Sequence, residues 1–336
     1  MKRTTALIVL ACCVLSILRA QDADLFFAGR APLWLDPSRS GFDPGARIAF
    51  VHQDQWLQFP GSWQSDMLSG DWCARNSKKQ VSSWFGIGLN AMRERQGAVG
   101  STLTSAGLIP AIHLRAGKRS FLSAGIELRW MNGSFGDASG AWGSQYDGLR
   151  YDAALPSGEQ WNGGNSAWVE AGAGLSFTLK QNAESPRRRE RNLLVAGVAA
   201  NHLGRLLLRE GGSPSPEIPI RLTAYALGEV PHLIWDDGFF AAEIIAHYQG
   251  PFYTGRFNIY AGKHVLNRTR KQGEPMLVGF KAGLGYRFQD ALLVNSALDV
   301  GSATVGVAYG WSLFNPNTLA AGRRTFELML QMRIGG

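Results

Sequence analysis

Cysteine is nearly missing from this 336-residue chain: there are three, and two of them, Cys12 and Cys13, stand together near the start. If the first twenty residues are removed, Cys73 alone is left, which excludes an intramolecular disulfide and a metal site built on cysteines. Charge is scarce too. Asp, Glu, Lys and Arg make up 18% of the chain, below the roughly one quarter usual for a soluble globular domain. Beyond residue 20 no run of eighteen apolar residues occurs, so no transmembrane helix is expected there. Helical periodicity is hard to find anywhere.

The first twenty residues have a different character. Lys2 and Arg3 precede an apolar stretch from Thr4 to Leu18, and Arg19-Ala20-Gln21-Asp22 then turns the chain polar. This predicts a secretory signal peptide over 1–20, cleaved after Ala20. The stretch is short for a membrane anchor, and Val9-Leu10-Ala11-Cys12 only loosely resembles a lipoprotein signal.

What recurs after the leader is strict alternation, the period of a strand. In Phe121–Trp130 one face carries Leu122, Ala124, Ile126, Leu128 and Trp130, and the other Ser123, Gly125, Glu127 and Arg129. Met276–Phe288 splits in the same way, with Phe280 and Leu284 against Lys281 and Gly283, and Phe326–Ile334 repeats it through Leu330. A soluble β-sandwich also alternates, but its outer face is rich in Lys, Glu and Thr. Here the second face is mostly Gly, Ser and other small residues, and apolar faces end in aromatics such as Phe240 and Tyr248. The pattern predicts an all-β fold, an antiparallel transmembrane β-barrel in the outer membrane whose apolar face meets lipid.

Candidate strands fall near 46–58, 61–73, 80–94, 100–117, 119–132, 164–180, 191–202, 217–230, 237–249, 253–264, 275–288, 290–300, 302–312 and 323–334. That makes about fourteen, and an even number allows closure. Pro110 is awkward in the fourth, because proline removes a ladder donor. Residues 21–45 are read as an N-terminal periplasmic or plug segment and 46–336 as the barrel. With a periplasmic N-terminus, the odd-numbered connections face outside, including the long one over residues 133–163. The basic runs at Lys78-Lys79, Arg187-Arg188-Arg189 and Arg268–Lys271 then face the periplasm. The net charge of +8 is concentrated there, where it could meet anionic headgroups or an acidic partner. Export excludes nucleic acid as the expected partner.

The six histidines are scattered without metal-ligand spacing, and no HExxH, GxSxG or phosphate loop occurs. Asp236-Asp237, followed by Gly238, reads as a turn rather than as a rim acid pair. No nucleophile has an evident base. No catalysis, cofactor or metal is expected.

Several short motifs, in order, are similar to those of a known family. Gln21-Asp22 is followed by Ala31-Pro32-Leu33-Trp34-Leu35-Asp36-Pro37-Ser38-Arg39-Ser40-Gly41, then by Gln53-Asp54-Gln55-Trp56-Leu57-Gln58-Phe59-Pro60-Gly61. Later come Gly283-Leu284-Gly285-Tyr286-Arg287-Phe288, Asp290-Ala291-Leu292, and Ala308-Tyr309-Gly310-Trp311. The series resembles the PorP/SprF-type outer-membrane proteins of the Bacteroidetes type IX secretion system. It departs from them at Asp36 and Ser38, where the family has Asn and Ala, and in a penultimate strand without its Asp. The chain ends Arg333-Ile334-Gly335-Gly336, without the aromatic that barrel-assembly signals commonly carry. The resemblance implies a non-enzymatic barrel of the secretion and gliding machinery that assists export or surface anchoring of a partner, such as a secreted cell-surface adhesin. It would contact outer-membrane lipid and periplasmic secretion-machine subunits. Partner contact is expected at Leu35, Asp36, Pro37, Gln55 and Trp56, helped by Arg187, Arg188 and Arg189. The competing reading is a hydrophobic-solute transporter with an N-terminal plug, for which the small, glycine-rich inner face would leave a conduit.

Overall fold

The computed structural model describes residues 22–58, 61–73, 81–97, 100–134, 142–156, 165–180, 192–209, 218–231, 238–267, 276–288, 290–313 and 323–335. Alternating sequence becomes strand throughout. The fourteen strands are β1 (Gly45–Gln55), β2 (Trp63–Cys73), β3 (Ser83–Gln96), β4 (Ser101–Arg115), β5 (Ser120–Ser134), β6 (Asn165–Lys180) and β7 (Asn192–Arg209), then β8 (Arg221–Pro231), β9 (Gly238–Gln249), β10 (Phe252–Asn267), β11 (Met276–Arg287), β12 (Ala291–Val300), β13 (Ala303–Ser312) and β14 (Arg324–Ile334). Each pairs antiparallel with its neighbours in sequence, and β1 pairs β14 from Ala46↔Ile334 to Gln55↔Thr325. The sheet therefore closes, which leaves no edge with unpaired backbone groups.

The burial pattern is inverted relative to a water-soluble sandwich. On β5, Leu122, Ile126, Leu128 and Trp130 are exposed, while Ser123, Glu127 and Arg129 are buried. Phe280 and Leu330 likewise point outward, and Lys281 and Glu327 point inward. An outward apolar wall with an inward polar face is what a lipid surround requires. No helix among the described residues is long and apolar enough to span a membrane. The chain is a membrane-spanning β-barrel.

Two local details depart from the sequence expectation, and a third meets it. β1 ends at Gln55, because Trp56 adopts a left-handed φ of 62° and turns the chain. β7 runs on to Arg209, with register shifts against β6 where the wall bulges. Pro110 does lie in β4, and the β4–β5 pairing skips from Leu108↔Leu128 to Ala111↔Gly125, so the missing donor falls where that ladder is interrupted. All three basic runs and Asp236-Asp237 lie outside the described residues.

The lumen is occupied by the chain itself. Residues 22–44, which precede β1, run through the barrel with two short 3-10 turns at Pro32–Trp34 and Pro37–Arg39. Phe26, Phe27, Leu33, Leu35 and Phe42 are all buried. Asp22 lies beside Arg221 and Gln249, at the end where the odd-numbered connections are (the odd end). Asp43 lies beside Lys180 and Arg333 at the opposite, even end.

Candidate functional site: the lumen and its N-terminal segment

Toward the odd end the segment is held by charge. Asp22 meets His202 at 2.8 Å and Arg221 at 3.3 Å. Asp24 meets Arg256 at 2.8 Å and Arg287 at 3.6 Å. The backbone amides of Phe26 and Phe27 each donate to one oxygen of Glu327 at 2.7 Å, and Gln53 Nε2 donates to the same carboxylate at 2.7 Å. Their rings pack where Gly310 and Gly306 leave room on β13. Glu327 has no solvent exposure, so these donors are what make its burial tolerable.

Toward the even end the hold is close backbone approach. A Cβ at Gly174 would coincide with the Asp36 carboxylate. One at Gly125 would lie 2.5 Å from the Pro37 carbonyl carbon, and one at Gly86 would run into the Ser40 carbonyl oxygen. Gly41, in turn, has a φ of 62° and lies against Gly86. Hydrogen bonds fix the register: Ser38 N donates to its helix-cap residue Asp36 at 2.7 Å, and the Tyr225 hydroxyl donates to Asp36 at 2.8 Å. Ser38 Oγ donates to Ser176 at 2.7 Å, Ser40 Oγ to the Ile109 carbonyl at 2.8 Å, and Gly41 N to Asp71 at 2.8 Å. Arg47 clasps that same Asp71 with two bonds of 2.8 Å. Phe42 then seats among Trp84, His113 and Phe121, with ring centroids 5.4–5.8 Å away.

At the two mouths the acids keep their charge. Burial works against ionisation of Asp22 and Asp43, but nearby cations outweigh it: His202 and Arg221 for Asp22, Lys180 and Arg333 for Asp43. Both carboxyls are held well below the usual carboxylate range. A cavity of about 140 Å³ opens at the odd end, lined in part by Asp22, Asp24, Trp56, Trp63, Arg287 and Arg323.

The residues singled out in the sequence go to three different places. Leu35, Asp36 and Pro37 lie in the lumen, fully turned into the wall, and present no surface while the segment is seated. Gln55 donates to Gln53 at 2.8 Å, and Trp56 stands exposed at the odd rim with its ring edge-on to Trp63. Arg187, Arg188 and Arg189 lie outside the described residues. Sequence reading missed Arg256, His202, Tyr225 and Glu327. The signal for Glu327 was present: a lone acid at an inward position of a membrane strand needs a partner. Gly86, Gly125, Gly174, Gly306 and Gly310 mark where the segment touches the wall, whereas Gly107, Gly283 and Gly285 make room for inward side chains of the wall itself. Among the described residues no group of three or more His, Cys, Asp or Glu could hold a metal ion.

With this geometry in view, comparison with known proteins adds one decisive match. The sequence pattern of the type IX secretion system membrane protein PorP/SprF matches residues 20–332. The chain belongs to the PorP/SprF family. Membership makes it a membrane component of type IX secretion and covers both the segment and the wall. No curated protein matches the chain. Solved barrels resemble this PorP/SprF chain in outline. The toluene transporter TbuX of Ralstonia pickettii does so at 13% identity and a TM-score of 0.48, over 91% of this chain and 94% of that one. The monoaromatic hydrocarbon channel CymD does so at 12% identity and 0.49, over 94% and 95%. The toluene transporter TodX of Pseudomonas putida follows at 12% and 0.45, over 90% and 93%. Likenesses at this level say nothing about a solute.

Proposed function

We propose that this PorP/SprF protein is a non-enzymatic outer-membrane part of the type IX secretion and gliding machinery, which assists export or surface anchoring of a partner protein. The observation that carries this reading is the family match over residues 20–332. The barrel would be exported on a cleaved leader, with Gln21 as the first mature residue. Its even end would face periplasmic machine subunits, where Arg187, Arg188 and Arg189 offer an acidic partner a screened, salt-sensitive contact. The odd end, with Gln55 and Trp56 at its rim, would face a secreted surface protein such as an adhesin. Contact through Leu35, Asp36 and Pro37 would require the segment to leave its seat.

The test is a gene deletion, followed by inventory of the culture medium and the cell surface. Loss of one or more type IX cargo proteins, restored by the plasmid-borne gene, supports the reading. Normal secretion together with lost uptake of a hydrophobic solute replaces it with the transporter. N-terminal sequencing that finds residues 1–20 retained removes the leader from the proposal.

A further inference from the structure

The outer wall is not uniform. On β5 the outward residues are apolar from Leu122 to Trp130, and on β9 they are apolar or aromatic from Phe240 to Tyr248. On β1 the apolar outward run stops after Ala46, Ile48 and Phe50, and the next two outward residues are His52 and Asp54. On β2 it stops after Trp72, Gly70 and Leu68, at Asp66. On β3 it gives way to Arg93 and Arg95, both exposed, and on β4 to Thr104 and Thr102.

Register makes these residues one patch. His52 is paired across β1–β2 with Asp66, and Asp66 across β2–β3 with Arg93. His52 Nδ1 lies 2.7 Å from Asp66 and Nε2 lies 3.1 Å from Asp54, so the imidazole ties the two acids into one strip. The side chain of Asp66 is nonetheless half exposed, and neither Arg93 nor Arg95 has an ion-pair partner among the described residues.

Height places the patch within the lipid band. Trp72, exposed at the even end of β2, marks that interface. Asp66 is six residues further along, about 20 Å of strand and about 15 Å of rise at a tilt near 40°, inside an apolar band roughly 25 Å tall. An ionic cluster at that depth is costly against lipid and marks a contact with protein.

We propose that this patch is the lateral interface between two copies of the chain. The argument is charge complementarity. The acidic strip lies on β1–β2 and the basic pair with its threonines on β3–β4, side by side. A two-fold axis along the membrane normal sets β1–β2 of one copy against β3–β4 of the other, so each acid strip meets an arginine pair at equal height and both barrels keep the same orientation. The patch is self-complementary, as an isologous interface must be.

The purified full-length protein in lipid nanodiscs, read by native mass spectrometry, tests this. The wild type is expected as a dimer. Arg93→Glu combined with Arg95→Glu is expected to weaken it about tenfold or more, because each reversal counts twice across a two-fold. Asp66→Arg with Arg93→Asp exchanges the charges within one chain and is expected to keep the dimer. Heat-modifiable mobility on gels checks that each variant is a folded barrel. A monomeric wild type, a dimer indifferent to the double reversal, or a different protein captured through these residues overturns the proposal.

Discussion

The two halves of the N-terminal segment are held in the same lumen by opposite means. From Asp22 to Gly29 the wall supplies charged side chains that reach in to the segment: Arg256, His202 and Glu327. From Leu33 to Phe42 the closest contacts fall where the wall has no side chain: Gly86, Gly125 and Gly174 let backbone lie on backbone, and Tyr225, Ser176 and Trp84 help complete the seat. The first arrangement relies on electrostatics that depend on protonation. The second relies on shape, which does not. One barrel thus has a charge-held half that chemistry can loosen and a closely packed half that added bulk disturbs most.

Asp24→Ala should separate the halves most sharply. It leaves Arg256 without its acid, while Arg287 keeps Asp290, and breaking a buried pair on one side costs about 3–5 kcal/mol. Limited proteolysis should then cut within residues 22–30 while residues 33–42 stay protected; protection of both halves would mean that they are not independent. Phe280→Arg damages only the lipid-facing wall, at about 2–4 kcal/mol near the midplane. Denaturant titration should show the barrel destabilised with both halves of the segment affected alike. Gly174→Leu should cost about 1–3 kcal/mol by overpacking and free the Pro37–Phe42 half, read as new cleavage there with the odd-end half intact. The smallest effect concerns pH. Asp22 and Asp43 sit well below their ordinary value of 3.8, so their contribution is present in full above that value. It is lost as the pH falls below about 4. Protease protection should therefore be flat through neutrality and fall at the two mouths only in strong acid. A fall on raising the pH would reverse the sign and exclude these carboxylates as its source.

Much of the wall was legible in the sequence because a strand writes its environment in alternate residues. Leu122, Ile126 and Leu128 against Ser123, Glu127 and Arg129 needs no partner information to read, and an even strand number follows by counting. The lumen was not legible for a matching reason. Residues 22–44 form short 3-10 turns and extended backbone with no period, and their partners are remote. Asp24 meets Arg256, 232 residues away, and Phe26 meets Glu327, 301 residues away. The inner glycines were visible, but a missing side chain looks the same in a sequence whether it leaves a channel or a contact. Leu35-Asp36-Pro37 stood out as a motif, and what the motif does in the fold is local: Asp36 caps the turn that starts at Pro37 and takes the Tyr225 hydroxyl.

Closure of β1 onto both β2 and β14 also has a kinetic side. The two seams run in register from Gln55↔Trp63 and Gln55↔Thr325 along the strand, so the wall offers no slit through which the segment could leave sideways. Its route is axial, a slide along the bore that must break the Glu327 clasp on Phe26 and Phe27 and drag Phe42 out of its aromatic seat. Isotope exchange at the Phe26 and Phe27 amides therefore times release of the odd-end half, and exchange at the Gly41 amide, which donates to Asp71, times departure of the rest; a slow rate at both marks a bolt rather than a swinging door.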